Sequence, residues 1–366
     1  MNEAYLSSVQ AALWGGQVEW PAEQTKQLFR LHAMQGTGPL VYTRLLEQKD
    51  LPAEVRQPMK AVCVQNMQTL AQIYRIQEQA WRALEAAGIK AVLMKGAGLA
   101  ALYPSPEMRQ WGDVDVFVGK KQYHAAAKVM RETFPNALKF DEELDHYKHY
   151  NLIADGVSIE IHRISVSLSH PRDVRRYTRM ETFGMTHAEK ISINGQEIRI
   201  PEPTFNALMV FLHSWEHLLT KGANVRQLCD LALLLHHSHA QIDTRRLKQW
   251  LRSLCLTDVW QLYMWILVNR LGLSTERAPF YINADSVARR AERMMTLLLA
   301  EPEPEVKQPE ANMPTNRFVR KWGTMLVRLR NARRLTPFSP AYARHMSWAV
   351  LLSGAARLFA KDRHWE

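Results

Sequence analysis

The sequence predicts an α+β protein in which a mixed block of strands and helices lies between two helical regions. In residues 52–87 and 203–300, apolar side chains recur at steps of three and four, the spacing of one helix face. Between these regions, short apolar runs alternate with glycine-containing turns, as is typical of strands. A chain of 366 residues is long enough for two or three domains. We predict four segments: an N-terminal helical region at 1–87, an α/β core at 88–202, a helical domain at 203–300, and a linker with a basic helical tail at 301–366.

The N-terminal region is predicted to contain two short helices and one long helix. The short helices cover 22–34 and 39–48, on either side of a QGTGP segment. The long helix begins at Pro52 and ends at Ala87-Gly88, because glycine commonly caps a helix at this end. We interpret its apolar stripe as core: Val55, Met59, Cys63, Met67, Leu70, Tyr74, Trp81 and Leu84.

The α/β core is predicted to contain six strands and two helices. Four of the strands form two hairpins, because Asp155-Gly156 and Asn194-Gly195 are strong signals for two-residue turns. The strands are assigned to 90–96, 114–118, 150–154, 157–164, 191–193 and 196–200. The helices are assigned to 97–103 and 123–134, and further helices follow at 205–218, 225–235, 244–254, 257–271 and 285–300.

The composition excludes several classes of protein. A hydrophobic fraction of 47% excludes wholesale disorder. The three cysteines are widely spaced without a CxxC pair, which excludes a disulfide-stapled scaffold and a zinc ribbon. The N-terminus lacks a signal-peptide pattern, and no apolar stretch reaches the ~18 residues of a membrane span. We therefore expect a cytoplasmic protein, with peripheral attachment to a membrane as an alternative.

The positive charge is concentrated near the C-terminus. The net charge is +11, and residues 311–366 contain eleven Lys or Arg against two Asp or Glu. Before them, residues 301–314 contain four Pro and four Glu, which is typical of a linker or an exposed turn. The basic residues 317–363 alternate with Trp and Leu. This pattern leaves three interpretations open: a solvated helical tail, an RNA-binding segment, or a segment that binds an anionic membrane surface.

An Asp-x-Asp pair enters the strand at 114–118. Because side chains alternate along a strand, Asp113 and Asp115 share one face while Val114 and Val116 point into the core. Two carboxylates ~7 Å apart along a strand repel each other unless a cation lies between them. A solvent-facing strand edge is the alternative explanation.

A third carboxylate follows on a later strand. Glu160 and His162 share a face, and Val157, Ile159 and Ile161 occupy the other face. If this strand lies beside 114–118, Glu160 completes a cluster of three carboxylates. Such a cluster suits a hard divalent cation, which prefers oxygen ligands.

The order of these motifs resembles a known superfamily. A strand running into Lys95-Gly96 and a helix, then Asp113-x-Asp115, then Glu160, is similar to the nucleotidyltransferases typified by DNA polymerase beta. Within that superfamily the chain resembles an uncharacterised bacterial nucleotidyltransferase-like family, the NTP transferase 5 type. The matching residues span about 90 to 236: Leu93 to Gly96, Tyr103, Arg109, Gly112 to Asp115, Glu160 to His162, Pro201 to Pro203, His213, Arg226, Asp230 and Leu231.

The resemblance implies a polymerase-beta-like core, a two-metal site and a nucleotide substrate. Asp113, Asp115 and Glu160 would hold Mg²⁺ or Mn²⁺. The phosphate-binding residues would be Lys95, Gly96, Gly98 and Arg109. The chain has Ala97 where the superfamily often has serine or glycine, so it lacks the hydroxyl that helps to hold the triphosphate.

Several polar residues keep two interpretations. Arg109 is either a phosphate contact or half of a structural ion pair. Arg226 and Asp230 form either a surface pair four residues apart on a helix or part of the nucleotide or acceptor pocket. His162 is either a structural residue that hydrogen-bonds to its neighbours or another residue of that pocket. His213 and His217 have metal-ligand spacing, but a structural role is favoured because nothing else completes a zinc site.

The functional prediction is transfer of a nucleoside monophosphate from NTP to an acceptor hydroxyl that the sequence does not identify. The alternatives are a non-catalytic nucleotide- or partner-binding protein on the same scaffold, and a toxin or antiphage enzyme that modifies RNA or protein.

Overall fold

The computed structural model describes residues 2–140, 148–168, 170–220, 222–300 and 335–359, with a few positions between 326 and 333. The predicted linker at 301–314 and part of the basic tail lie outside the described residues. Among those described, no helix combines the length and apolarity needed to cross a membrane.

The protein is a mixed α+β fold, as the sequence predicts. Its strands are β1 (Val92–Met94), β2 (Val114–Phe117), β3 (Leu138–Lys139), β4 (His149–Ala154), β5 (Val157–His162), β6 (Glu189–Ile193) and β7 (Gln196–Ile200). Its helices before β6 are α1 (Asn2–Trp14), α2 (Thr25–Gln35), α3 (Gly38–Leu46), α4 (Ala53–Ala86), α5 (Gly96–Ala100), α6 (Gly119–Thr133) and α7 (Pro171–Thr186). Those after β7 are α8 (Pro203–Thr220), α9 (Val225–Ser238), α10 (Thr244–Ser253), α11 (Thr257–Asn269), α12 (Asp285–Leu299) and α13 (Pro340–Phe359).

The central sheet has the strand order β1-β2-β5-β4-β3. Strands β2 and β5 are parallel, and the other pairs are antiparallel. The β4–β5 hairpin turns at Asp155 and Gly156, and the separate β6–β7 hairpin turns at Asn194 and Gly195. All four turn residues have positive φ, the conformation that a tight two-residue hairpin turn requires. Both predicted hairpins are therefore confirmed.

Two apolar cores lie in the described residues. The first joins helices from both ends of the chain: buried Tyr5 and Leu28 belong to the same cluster as Phe211 and Trp260. The second lies under the sheet, where Val116 and Ile161 pack with the C-terminal half of α4 and with α6. The four-segment division stays a prediction, although helices from the first and third segments share a core.

Several local predictions need correction. The described residues of 88–202 form seven strands and three α-helices rather than six and two. Strand β3 and helix α7 were not predicted, because β3 has only two residues and four arginines interrupt the apolar pattern of α7. The helix expected at 97–103 is only Gly96–Ala100, because Pro104 and Pro106 follow and disfavour helix before them. Helix α1 was not predicted, because polar residues dilute its pattern; tertiary packing of buried Tyr5 and Val9 stabilises it. In the stripe of α4, Met67 is 53% exposed, so the stripe is core only towards its two ends.

Candidate active site

The site lies on the two parallel strands in the middle of the sheet. In the register of β2 and β5, Asp115 lies directly opposite Glu160. Buried Val114, Val116, Ile159 and Ile161 fill the other face, so the alternation of each strand turns the polar side chains to one side. The strand pairing on which the predicted carboxylate cluster depends is therefore present.

Lys95 reaches Asp115 from a strained turn. Its backbone has φ 54° and ψ −134°, a conformation that residues other than glycine rarely adopt. Its Nζ lies 3.0 Å from Oδ1 of Asp115, and both side chains are largely buried. The turn between β1 and α5 thus places a cation on the carboxylate at the centre of the sheet.

His162 bridges two carboxylates. Its Nε2 lies 2.9 Å from Oδ1 of Asp115 and 3.0 Å from Oε2 of Glu160. Its Nδ1 lies 3.3 Å from the carbonyl oxygen of Ile164 and donates to it, because a carbonyl only accepts. Burial favours the neutral ring, but the hydrogen bonds to the two carboxylates outweigh burial and raise the pKa of His162.

The three carboxylates differ in their electrostatic state. Burial acts to raise the pKa of Asp115, but Lys95 and His162 outweigh it and hold this pKa well below its usual range. The pKa of Glu160 is also lowered, because the hydrogen bond from His162 outweighs burial. Asp113 is more exposed, yet desolvation in the cleft and the charges of Asp115 and Glu160 raise its pKa to about 6. The Asp113 carboxylate therefore lacks sufficient positive charge around it.

This donor set fits a divalent cation. Carboxylate oxygens are the ligands that Mg²⁺ prefers and that Mn²⁺ also accepts. Desolvation and repulsion between the carboxylates raise the pKa of Asp113, and a cation would relieve the repulsion. The residues that would hold it are Asp113, Asp115 and Glu160.

A buried ion pair supports the segment before Asp113. Arg109 donates from Nε and Nη2 to the two oxygens of Asp230, at 2.8 and 2.9 Å, and Tyr103 donates to Oδ1 of Asp230 at 2.9 Å. Asn66 donates to the carbonyl oxygen of Arg109 at 3.0 Å. Of the two interpretations of Arg109, the structure shows the ion pair.

The expected surface pair between Arg226 and Asp230 is wrong. Asp230 is 4% exposed and its partners are Arg109 and Tyr103. Arg226 instead donates from Nη1 to the carbonyl oxygen of Gln110, at 3.1 Å. Burial and the nearby Arg109 guanidinium lower the pKa of Arg226, and Asp113 acts in the opposite direction. Arg226 therefore lies within electrostatic reach of Asp113.

The two glycines after Lys95 have different surroundings. Gly96 has φ 44°, and a Cβ there would lie 3.4 Å from the carbonyl oxygen of Asp113. A Cβ on Gly98 would lie 3.2 Å from Cγ2 of Ile200 in β7. Close packing on β7 therefore requires a small residue at Gly98. The phosphate-binding roles of Gly96 and Gly98 stay predictions.

Two further histidines contribute to the site. His149 on β4 pairs with His162, and the two ring centroids are 5.1 Å apart. The hairpin could have revealed it, since a two-residue turn at 155–156 places 149 opposite 162. Half-buried His213 on α8 packs edge-on against His217. Burial, together with the positive charge of Lys95, lowers the pKa of His213 well below its usual value.

Comparison with known proteins identifies the family of the chain. The structure combines an α+β fold with a carboxylate cluster on a mixed sheet. The chain belongs to the family described as uncharacterised nucleotidyltransferase, whose family model matches residues 21–272. No curated protein matches the sequence. A solved structure, an antigenic nucleotidyltransferase-like protein from Paracoccidioides brasiliensis, aligns at 15% identity over 58% of this chain and 96% of its own, with a TM-score of 0.35.

Proposed function

We propose that the chain is a metal-dependent nucleotidyltransferase that moves a nucleoside monophosphate from NTP to an acceptor hydroxyl. The observation that carries the proposal is the parallel register of β2 and β5, which sets Asp115 opposite Glu160 with Asp113 beside them. Membership of the nucleotidyltransferase family supports the same reaction class.

In the proposed reaction, the acceptor oxygen forms a bond to the α-phosphorus. The bond from the α-phosphorus to the oxygen that bridges it to the β-phosphorus breaks, and pyrophosphate leaves with that oxygen. The acceptor hydroxyl gives its proton to the solvent. When bound, divalent ions would lower the pKa of this hydroxyl and neutralise the leaving pyrophosphate.

The proposed roles of this chain's residues follow from their positions. Asp113, Asp115 and Glu160 hold the metal, and Glu160 lies on the acceptor side. Lys95 is placed to contact a phosphate, because its ammonium already lies beside Asp115 and little of it is exposed. Gly96 and Gly98 shape the turn that brings Lys95 there.

Arginines complete the proposed phosphate environment. Arg226 is the better candidate for direct contact, because its charge acts on Asp113 and its guanidinium hydrogen-bonds to one carbonyl. Both edges of the Asp230 carboxylate are engaged by Arg109, so we propose that Arg109 acts by holding the segment that leads to Asp113.

The acceptor is proposed only as a class. The eleven basic residues after 311 favour an acceptor on RNA or at an anionic membrane surface. Binding through these charges should weaken steeply between low and physiological salt, which a filter-binding or vesicle-sedimentation assay measures.

The test of the reaction uses α-labelled NTP, Mg²⁺ or Mn²⁺, and a cell extract as the source of acceptors. Wild type should transfer label and release pyrophosphate, and Asp113→Asn should lose transfer by at least about 10²-fold. Glu132→Gln, an exposed carboxylate on α6, is the matched control and should transfer at the wild-type rate. Near wild-type transfer by Asp113→Asn would contradict the proposal. Metal-dependent NTP binding without turnover under any condition would instead favour a non-catalytic binding protein.

A further inference from the structure

Imidazole nitrogens belong to the same cluster as the carboxylates. The ligand atoms of His149, Glu160 and His162 all lie within 4.8 Å of one another. His149 Nδ1 is 3.8 Å from Oε2 of Glu160, the oxygen that His162 approaches at 3.0 Å. This group on β4 and β5 is therefore a mixed nitrogen and oxygen donor set, and His162 links it to Asp115 on β2.

His162 is oriented as a metal ligand would be. A ligating histidine typically donates its other ring N–H to a carbonyl or a carboxylate, which fixes the tautomer and the ring. In His162 the Nδ1–H donates to the carbonyl oxygen of Ile164, so Nε2 is the nitrogen that faces Asp115 and Glu160. A metal ion held by Nε2 would replace the proton on that nitrogen.

Donor type determines which ion such a site selects. Mg²⁺ prefers oxygen ligands and retains its water, whereas imidazole suits transition metals. We infer that His149, Glu160 and His162 form a site that prefers a divalent transition-metal ion to Mg²⁺, with Asp115 beside it. This inference rests on the proposed function in sharing Glu160 with it, but metal binding can be measured without turnover.

A second group of possible ligands lies elsewhere in the described part of the chain. His170 and Asp173 on α7 meet His345 on α13, within the same 4.8 Å. In this group, Nδ1 of His170 accepts the backbone N–H of Arg172, so the neutral ring carries its proton on Nε2. The rings of His170 and His345 are stacked, with an interplanar angle of 22°, so their lone pairs do not converge on one ion. This group is less suitable and provides a matched control.

The experiment titrates the full-length, metal-free protein with Mn²⁺ or with Mg²⁺, and follows binding by calorimetry. Pulsed EPR of bound Mn²⁺ detects nitrogen nuclei that coordinate the ion. We expect Mn²⁺ to bind at least about tenfold more tightly than Mg²⁺, with imidazole nitrogen coupling. His162→Gln should weaken Mn²⁺ binding by at least about tenfold and reduce the coupling, while His345→Asn should change neither.

A second variant covers the case in which the first one does not fold. If buried His162→Gln fails to fold, as judged by circular dichroism, His149→Asn is the second variant, since this side chain is 22% exposed. Equal affinities for the two ions, absence of nitrogen coupling in wild type, or loss of coupling in His345→Asn instead would each overturn the inference. Transfer of label with Mg²⁺ by a protein without nitrogen coupling would overturn this inference alone. Nitrogen-coupled Mn²⁺ without any transfer would support it and contradict the proposed function.

Discussion

At the scale of single residues, the candidate site contains two carboxylates that are paired with cations and a third, Asp113, that is repelled by the other two. Asp115 is held by Lys95 and His162, and Glu160 shares His162. Desolvation, together with repulsion from both carboxylates, raises the pKa of Asp113 to about 6. A site prepared for a cation is therefore expected to reduce the stability of the metal-free protein.

Asp113→Asn should stabilise the metal-free protein at neutral pH. The folded state raises the pKa of Asp113 from 3.8 to about 6, so ionisation costs stability increasingly as the pH rises between these values. The variant stays neutral at every pH. Its melting temperature should exceed that of wild type at pH 7.5 with a chelator present, and match it near pH 4. A variant that melts below wild type at pH 7.5 would contradict the electrostatic account, and Glu132→Gln serves as the control.

At position 95, replacement by glycine should destabilise the protein less than replacement by methionine. Both substitutions remove the ammonium from Asp115, but only glycine relaxes a backbone at φ 54° and ψ −134°. Backbone strain of this kind costs ~1–3 kcal/mol of folding stability, which glycine would recover. Glycine also increases the conformational entropy of the unfolded chain, which lowers stability by ~0.4–1 kcal/mol. Lys95→Gly should therefore be about 1 kcal/mol more stable than Lys95→Met in urea unfolding. Equal stabilities would show that the turn is not strained.

Removing one partner of the Arg109–Asp230 pair should be strongly destabilising. Arg109→Met leaves the buried Asp230 carboxylate without its guanidinium, which costs roughly 3–5 kcal/mol. The double variant Arg109→Met with Asp230→Leu should recover part of this loss, because no buried charge remains. A double-mutant cycle by chemical unfolding measures the coupling, and additive effects would contradict the account.

At the scale of secondary-structure elements, much of the site could be predicted from the sequence. The two-residue turn at Asp155-Gly156 determines the register of β4 and β5, and alternation then puts Glu160 and His162 on one face. Local patterns were sufficient because these relationships lie within a few residues of each other.

The unpredicted contacts depend on elements distant in the chain. Asp230 on α9 binds Arg109, which lies more than a hundred residues away in the sequence. The spacing of four residues between Arg226 and Asp230 does not indicate that Asp230 pairs with Arg109 instead. The Lys95 pairing depends on a positive φ that a lysine rarely adopts. Helix length also depended on context, as the five residues of α5 show.

The contact between α7 and α8 requires glycine at 184. A Cβ there would lie 2.1 Å from Cγ of Phe205, a distance that forces the helices apart. Gly184→Ala should lower the free energy of unfolding by about 1–3 kcal/mol, the usual cost of overpacking. Thr182→Ala on the exposed side of α7 is the control and should change it by less than about 0.5 kcal/mol. An unchanged melting temperature in Gly184→Ala would contradict this packing.

At the scale of the whole molecule, the site lies where two cores meet. Met94 and Leu99 belong to the helical core, while Leu93 and Val116 belong to the core of the sheet. The ends of β1 and α5 therefore contact both cores, so Lys95 is held between two packed units. This arrangement explains how a lysine at a strained turn keeps a single position.

The central claim is that this cluster binds NTP together with a divalent ion. The most direct measurement is thermal unfolding of wild type and Asp113→Asn with each NTP, with Mg²⁺ or Mn²⁺ or with a chelator. A ligand at 100 times its Kd stabilises the folded state by about 2.7 kcal/mol. The account predicts a metal-dependent rise in melting temperature with at least one NTP, absent in Asp113→Asn. An equal rise in the variant, or no rise in wild type with any NTP and metal, would contradict it.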